Sequence, residues 1–396
     1  MVDAPDFGVR PVVTADSSGR APSTDKALAL CPGISLAHPP NAIGDDVLAE
    51  LGDDWGPVLE VWEGYASDEA IRFAGSSGGA ATALALHCLA HEDMHGVLHI
   101  KARDDVPYLN ETTLSRTREE LVATTGSRYA PASPCDRLDL VESAPGPCVM
   151  IGKPCDIAAS SKARAGNAAL DDNLGLTIAI FCAGTPSTRG TLEMLARMGV
   201  EDPVQVEQVR YRGNGWPGEA EAVVRNDEGE SESLRLTYQE SWGEVLQRHR
   251  QWRCYICPDH TGEFADIAVG DPWYRDIPPG EPGRSLILVR TERGRRILRA
   301  ALERGLLTVS PADPGILPAS QPNLLQARGA AWGRLVTSGL AGAATPRYRG
   351  FALWRAWLQH LTARKKVQSV FGTAKRVIRR RLYRRIDVTS GEDVDS

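Results

Sequence analysis

Short apolar segments alternate with helix-like segments over the first half of the chain. The apolar segments, each about the length of a β-strand, are residues 58–62, 96–100, 148–151 and 174–181. The segments between them that have helical composition are residues 80–89, 116–122, 156–164 and 188–198. Strands that are apolar on both faces are typical of a parallel sheet covered by helices on either side. The pattern predicts an α/β core with a mixed, largely parallel sheet.

The pattern changes after residue 205. Residues 206–211 alternate between apolar and polar side chains, and Asn226-Asp227-Glu228-Gly229 is a hairpin signal. The later elements expected are a helix at 242–250, strands at 267–271 and 285–290, a helix at 292–304 and mainly helices from 322 onward. Four parts are therefore predicted: a poorly ordered leader (1–55), an α/β part (56–200), an α+β part (201–320) and a helical C-terminal extension with a basic tail (321–396).

Charge is distributed unevenly along the chain. The net charge is −6, but residues 364–385 contain ten Arg or Lys and no acidic residue. A basic tail on an acidic body favours contact with an acidic surface, such as lipid headgroups or another protein, although a solvated helix has the same composition. Because few aromatic residues accompany the basic ones, nucleic acid is not expected as a partner.

The chain lacks the sequence features of a membrane-spanning or secreted protein. No run of about 18 or more apolar residues is present, and the N-terminus has neither the basic start nor the apolar stretch of a secretory signal. A cytoplasmic location is expected. Since the cytoplasm keeps thiols reduced, metal or redox chemistry explains eight cysteines better than disulfides do.

Four of the cysteines fall next to predicted buried elements. Cys155 ends the sequence Gly-Lys-Pro-Cys after one strand, Cys182 ends another strand, and Cys254 and Cys257 form a Cys-x2-Cys loop before a third. Four thiolates brought together in this way typically hold iron–sulfur or zinc. A Cys-x2-Cys pair also serves redox dithiols, and zinc would prefer a second such pair or two histidines, which are lacking here. The three other cysteines of the body, expected in the core, are Cys88, Cys135 and Cys148.

Two glycine-containing loops are candidates for binding an anionic cofactor. Residues 75–79 (Gly-Ser-Ser-Gly-Gly) open a predicted helix, and a helix start with exposed backbone N–H groups favours anions such as a pyrophosphate. The spacing matches neither a dinucleotide fingerprint nor a Walker loop. Residues 125–129 (Thr-Gly-Ser-Arg-Tyr) combine a turn, a cation and an aromatic ring, although Gly126 is equally explained as the end of a helix.

Taken in order, these motifs resemble those of the coenzyme F420 hydrogenase/dehydrogenase beta-subunit family. That family also includes the divinyl-chlorophyllide and 7-hydroxymethyl-chlorophyll a reductases. The resemblance extends from about residue 55 to about residue 310. The segments that carry it are Ser77–Gly79, Gly126–Tyr129, Gly152–Cys155, Phe181–Gly184, Cys254–Asp259, Ala265–Asp271 and Gly283–Ser285.

The resemblance implies a flavoprotein with FAD and one 4Fe–4S cluster, in which residues 56–200 bind the flavin. It implies that Cys155, Cys182, Cys254 and Cys257 bind the cluster. The residues expected at the cofactor are Ser76, Ser77, Gly78, Gly79, Thr82, Gly126, Ser127, Arg128, Tyr129 and Lys153. The ammonium group of Lys153 either contacts the flavin or an acidic substrate, or faces solvent. Asp259 and Asp266 either support the cluster loop or cap local turns.

The chain departs from many relatives at its N-terminus, where Cys31-Pro32 is all that remains of a ferredoxin-like module with repeated Cys-x2-Cys spacings. Only one cluster is therefore expected. The resemblance implies an oxidoreductase in which electrons pass through FAD and the cluster to an acceptor. The electron donor is either reduced coenzyme F420, as a co-substrate, or a redox protein. The alternatives are an FAD-dependent reductase of a small organic double bond and a non-catalytic assembly subunit. The general acid is not assigned; the candidates are His95, His99 and His260.

Overall fold

The computed structural model describes residues 1–14, 23–39, 46–226 and 228–384. The described strands are β1 (Val2–Ala4), β2 (Gly8–Arg10), β3 (Ser35–Ala37), β4 (Glu60–Ala66), β5 (Gly96–Ala102), β6 (Asn110–Ser115), β7 (Cys148–Gly152), β8 (Leu174–Ile180), β9 (Val206–Arg210), β10 (Ala220–Arg225), β11 (Ser231–Leu236), β12 (Ile267–Gly270), β13 (Ser285–Val289), β14 (Leu307–Pro311) and β15 (Arg347–Arg349). The helices that precede β8 are α1 (Asp25–Leu30), α2 (Ala49–Trp55), α3 (Glu69–Ala74), α4 (Ala80–His91), α5 (Arg118–Ala123), α6 (Asp139–Glu142), α7 (Pro154–Arg164) and α8 (Ala168–Asn173). Those that follow it are α9 (Thr188–Met198), α10 (Trp252–Tyr255), α11 (Glu292–Glu303), α12 (Ile316–Ser320), α13 (Pro322–Leu340), α14 (Leu353–His360) and α15 (Ala363–Arg379).

Eight of the described strands form one mixed sheet in the order β14-β4-β13-β12-β8-β7-β5-β6. The four central strands, from β12 to β5, pair in parallel, and the strands added at both edges pair antiparallel. The predicted α/β core with a mixed sheet is confirmed, and its parallel pairing is confined to the centre.

Helices cover both faces of this sheet, which explains why its central strands are apolar at consecutive positions. On β8, Ile178 packs with α4 and α11 on one face, while Ala179 packs with α7 and α13 on the other. Successive side chains of a strand point to opposite faces, so a strand buried on both sides needs no polar alternation.

A smaller antiparallel sheet, in the order β11-β10-β9, lies outside the main one. The predicted hairpin is confirmed, since β10 pairs with β11 from Ala220–Leu236 to Arg225–Ser231. This sheet packs on α9 and forms its own core with Met194 and Leu195.

The helix predicted at 242–250 is wrong in type. Residues Gln239–Val245 form a π-helical turn, followed by a 3₁₀ turn at Leu246–His249. The hydroxyl of Ser241 donates to the Thr237 carbonyl oxygen at 2.9 Å, where it competes with the backbone for the same acceptor. Apolar periodicity alone does not distinguish such a turn from an α-helix.

The terminal segments pack against the body. Within residues 1–55, β1 pairs with β2, β3 pairs with β15 near the C-terminus, and α2 buries Leu51 and Trp55. Strands β12, β13 and β14, from the predicted α+β part, complete the main sheet. The four-part division of the chain remains a prediction. The predicted helical C-terminal extension is present as α13, α14 and α15, and no helix in the described part of the chain is long and apolar enough to cross a membrane.

Candidate functional site

The carboxyl ends of the parallel strands meet at one edge of the main sheet and open into a cavity of about 310 Å³. Gly152 ends β7, and Cys182 follows the end of β8. Because β4 and β12 are both antiparallel to β13, the carboxyl end of β4 and the glycine loop after it lie at this same edge. Open α/β sheets bind ligands at this position.

The cavity brings together nine of the ten residues predicted to contact the cofactor. Those that line it are Ser76, Ser77, Gly79, Thr82, Gly126, Ser127, Arg128, Tyr129 and Lys153. Gly78 does not line it. A Cβ on Gly78 would lie 2.8 Å from the Cα atom of Arg284, so this glycine permits close packing of the loop on its neighbour.

The first glycine loop is fixed by backbone geometry and by contacts to Ser285. Gly79 has φ of +72° at the start of α4, and a Cβ there would lie 2.7 Å from the Ile71 carbonyl oxygen. The hydroxyl of Ser285 donates to the Ser77 carbonyl oxygen and accepts from the Ala80 N–H at 3.4 Å. Only glycine adopts this conformation at low cost, so the sequence pattern reflects a steric requirement.

Ser76 connects the two loops. Its hydroxyl accepts a hydrogen bond from the Ser127 N–H at 2.7 Å and donates to the Arg212 carbonyl oxygen at 3.2 Å. Gly126 has φ of +124°, and a Cβ there would lie 2.7 Å from the guanidinium of Arg210. The two loops, separated by about fifty residues in the sequence, form one continuous wall of the cavity.

The guanidinium group of Arg128 is bonded mainly to the protein itself and is not free to bind a ligand. Its guanidinium donates to the side-chain oxygen of Asn110 and to three carbonyl oxygens, those of Val209, Pro107 and Leu109. Four of its five N–H groups are therefore engaged within the protein. Arg128 borders the cavity, but its main contacts hold the loop in place.

The ammonium group of Lys153 is held by partners within the protein, and its side chain is 23% exposed. Its Nζ atom lies 2.7 Å from Asp156 and donates to the Ala132 carbonyl oxygen at 3.2 Å. Burial opposes the charge, but the negative groups of Asp156, Cys155 and Cys182 outweigh it and raise the pKa of Lys153. Lys153 thus places a retained positive charge between the cavity and two of the cysteines.

Aromatic residues that sequence reasoning missed form an aromatic wall of the cavity. Tyr238, Trp242 and Trp273 line the cavity, with Tyr129 and Trp242 ring centroids 4.9 Å apart and those of Tyr238 and Trp273 5.6 Å apart. They come from segments after residue 237 with no motif of their own. Their only sequence signal is the concentration of Tyr and Trp between residues 238 and 273.

A buried ion pair supports this aromatic wall. Arg212 donates to both oxygens of Asp271, at 2.9 and 2.6 Å, and its guanidinium carbon lies 5.0 Å from the ring centroid of Tyr238. The indole N–H of Trp216 donates to the same carboxylate at 2.7 Å. Asp271 directly follows β12, and Arg212 lies beyond β9, so the pair joins the two sheets at the cavity.

The four predicted cluster cysteines come from three regions of the chain. Cys155 is the second residue of α7, Cys182 follows β8, and Cys254 and Cys257 lie in and after α10. The backbone N–H of Thr185 donates to the Cys254 sulfur at 3.3 Å, and the Cys182 N–H donates to the His260 carbonyl oxygen at 2.9 Å.

Burial and the charges of nearby cysteines both raise the pKa values of Cys155, Cys182 and Cys257. Burial raises the pKa of Cys182 to about 12, and negative charge on Cys254 and Cys257 adds to the rise. Burial also raises the pKa of Cys257 to about 11 and that of Cys155 well above its usual value, with Cys155 sensing both Cys257 and Cys182.

Among the described residues, no three His, Cys, Asp or Glu side chains converge closely enough to hold one metal ion.

Arginines surround the Cys-x2-Cys loop. Arg250, Arg334 and Arg376 all stack on Tyr255, with guanidinium carbons 4.9, 5.4 and 5.0 Å from its ring centroid. Burial lowers the pKa of Arg334 to about 10, and the charges of Arg376 and Arg250 contribute. Arg253 is affected by Cys257, Cys155 and Cys254, whose negative charges raise its pKa against the effect of burial. The loop is therefore strongly electropositive.

The remaining candidates have structural roles or lie apart. Both side-chain oxygens of Asp259 accept backbone N–H groups of residues 261–263, and the carboxylate of Asp266 accepts from Thr177 and Thr291. Both aspartates therefore order the backbone. Exposed Cys31 lies near Arg253, because a Cβ on Gly33 would meet both side chains.

Of the three histidines, only His99 lines the cavity. Its Nδ1–H donates to the Ile100 carbonyl oxygen at 3.1 Å, and its Nε2 accepts from the Ser115 hydroxyl at 2.8 Å. Burial lowers its pKa to about 4, as it does for His260. Neither histidine is protonated at neutral pH, so neither is a ready proton donor.

Comparison with known families gives two matches, one covering the glycine loops and one covering the cysteines. Residues 61–138 match the N-terminal region of the coenzyme F420 hydrogenase/dehydrogenase beta subunit, and residues 147–315 match the C terminus of the same beta subunit. The chain belongs to this family of oxidoreductase subunits. The recognition made from the ordered motifs is confirmed, and the matched ranges contain all four cysteines and both glycine loops.

Curated relatives are similar at low identity. The F420-dependent formate dehydrogenase subunit beta of Methanocaldococcus jannaschii is 25% identical over 63% of this chain and 62% of its own length. The coenzyme F420 hydrogenase subunit beta of Methanosarcina barkeri is 23% identical over 63% of this chain and 82% of its own length. The chain thus spans less than two thirds of the formate dehydrogenase subunit.

A solved structure shares the fold. A chain of the xenon-derivatised F420-reducing [NiFe] hydrogenase complex of Methanosarcina barkeri matches with a TM-score of 0.53 and 18% identity. The match covers 70% of this chain and 93% of that chain. The C-terminal extension from α13 onward lies beyond residue 315, where the family match ends.

Proposed function

We propose that this protein is an iron–sulfur flavoprotein that passes electrons between reduced coenzyme F420 and an acceptor. FAD would occupy the cavity, and a 4Fe–4S cluster would be held by Cys155, Cys182, Cys254 and Cys257. The observation that supports this best is that the cavity lined by both glycine loops extends to Cys182, so the two cofactor sites share a wall. The names of the relatives, which contain F420, support the choice of donor.

The residues present fit both cofactors. Small residues and the start of α4 leave room for a phosphate-bearing chain, and a helix N-terminus favours anions. The aromatic wall offers ring faces for a flat heterocycle. The positive charges of Arg253 and Lys153 favour the thiolate forms that iron requires, against the effect of burial.

When bound, the flavin would accept a hydride as two electrons, and the cluster would pass electrons singly. The protein's own contribution is positioning and electrostatics. Lys153 keeps one positive charge between the two sites, and the neutral His99 adds no charge to the cavity wall.

The test is anaerobic mixing of the FAD-loaded protein with chemically reduced coenzyme F420. The proposal predicts bleaching of the flavin band together with appearance of oxidised deazaflavin, and no bleaching with NADH or NADPH. A protein that binds FAD but is not reduced by the deazaflavin would contradict the donor assignment. Bleaching by the nicotinamides alone would contradict it as well.

A further inference from the structure

The last helix of the described chain, α15, buries mainly small polar residues and exposes large apolar ones. In α15 the buried residues are Ser369, Thr373 and Val377. Its large apolar residues point outward instead: Val367 is 56% exposed, and Phe371 is 70% exposed. Surface helices normally turn their apolar stripe toward the core. The outward apolar face of α15 therefore has no partner among the described residues.

Small polar residues face inward because α15 packs closely on α13. A Cβ on Gly333 of α13 would clash with the Ser369 hydroxyl oxygen, so there is no space for a larger residue at position 333 where the two helices meet. The Ser369 hydroxyl also accepts from the indole N–H of Trp357 at 3.0 Å. These contacts fix the orientation of the helix, and hence which residues face outward.

The outward apolar residues form a single stripe with basic borders. Val367, Phe371 and Ile378, the last 66% exposed, are spaced by four and seven residues and share one face of the helix. The basic residues that border this stripe, all exposed, are Arg364, Lys365, Lys375 and Arg379. No acidic residue occurs between residues 361 and 384.

We propose that this face of α15 binds the surface of a membrane containing anionic phospholipids. Helices with Phe and aliphatic residues on one side and Lys or Arg at its borders lie in the interfacial plane of such membranes. Long basic side chains can extend to the headgroups while the apolar stripe enters the acyl boundary.

Charge complementarity also fixes which side of the protein would face the membrane. The whole chain has a net charge of −6 although residues 364–385 contain ten cations, so the rest of the protein is strongly acidic. An anionic membrane would repel that body and attract α15 alone. The proposal does not depend on which cofactors the cavity binds.

The experiment is flotation of the full-length protein with vesicles of phosphatidylcholine alone or of phosphatidylcholine mixed with phosphatidylglycerol. We expect at least tenfold stronger binding to the mixed vesicles, weakened at about 1 M salt, where the screening length falls to roughly 3 Å. The variant V367S/F371S/I378S and the charge variant K375E/R379E should each reduce binding at least tenfold. The matched surface controls V204S and K26E should bind like the wild type.

Other outcomes would overturn the proposal. Absence of binding to both kinds of vesicle, or binding that survives in V367S/F371S/I378S, would each do so. Light scattering of the same proteins measures their oligomeric state and so tests whether a second copy of the chain covers this face instead. A dimer that the triple variant converts to a monomer would identify the face as an interface between copies of this chain. Because all the changed side chains are exposed, unchanged thermal unfolding should confirm that each variant is folded.

Discussion

The two halves of the candidate site differ in how far the protein alone completes them. The loop half, residues 75–82 and 126–129, has its main polar groups bonded within the chain, as the two hydrogen bonds of the Ser76 hydroxyl show. The cysteine half is formed by Cys155, Cys182, Cys254 and Cys257. Its partly buried Cys155 and Cys182 have raised pKa values, and arginines stack on Tyr255 beside it. The loops of the first half are held in place by the chain itself, whereas the second half consists of thiols from three regions of the chain.

The largest expected effect concerns the cysteine half. Replacing Cys254 with serine should remove nearly all iron and the broad iron–sulfur absorbance while leaving flavin binding intact. Serine is nearly isosteric, and its oxygen can still accept the Thr185 N–H, so the fold should persist. Iron analysis and visible spectra measure this. Exposed Cys31→Ser is the matched control, and equal iron loss in both variants would contradict the assignment.

A substitution in the loop half should instead reduce stability and FAD binding, because it strains the backbone. Gly79→Ala forces a side chain into a left-handed conformation, with its Cβ 2.7 Å from the Ile71 carbonyl oxygen. The expected loss is about 1–3 kcal/mol of stability, together with weaker FAD binding. Thermal unfolding and flavin content measure it. Gly166→Ala, where no atom outside its chain neighbours lies within 4 Å of the new Cβ, should show neither effect.

The third prediction concerns His99 in the cavity wall, which should make the stability of the protein depend on pH. Because burial lowers the pKa of His99 to about 4, below its unfolded value near 6.5, its contribution to stability is present above pH 6.5 and lost as pH falls toward 4. That contribution is about 3 kcal/mol. Urea unfolding of His99→Gln should show a smaller loss over this range than the wild type. The control is exposed His91→Gln, and equal slopes in all three proteins would disprove the neutral buried state.

The smallest effect is expected at the aromatic wall. Trp273→Leu removes the ring that stacks on Tyr238 and lines the cavity, and aromatic contacts contribute about 0.5–1.5 kcal/mol. FAD affinity measured by fluorescence titration should fall about three- to tenfold. Trp354→Leu, on the distant helix α14, should bind FAD normally. An unchanged affinity in Trp273→Leu would mean that this wall faces some other ligand.

The sequence predicted the elements whose signal is local. The apolar segments at 148–151 and 174–181 became β7 and β8, and their ends placed Lys153 and Cys182 at one edge because parallel strands end together. The glycine loops were recognisable because Gly79 meets a steric requirement that no other residue satisfies easily.

The features that the sequence did not predict depend on contacts between residues far apart in the chain. The engagement of Arg128 requires carbonyl groups of residues 107–109 and of β9, which the motif around residue 126 does not contain. The aromatic wall is assembled from a π-helical turn and a loop after β12, and no spacing rule links them. The pairing of β3 with β15 joins the two ends of the chain, which local pattern cannot foresee.

The most direct test of the account is cofactor analysis of the protein purified without oxygen. We predict bound FAD, and iron and acid-labile sulfide matching one four-iron cluster per chain, with both absorbances in the visible spectrum. A folded protein with neither flavin nor iron would contradict the central claim and favour a non-catalytic assembly subunit. Zinc in place of iron would contradict the cluster assignment while leaving the cysteine half as a metal site.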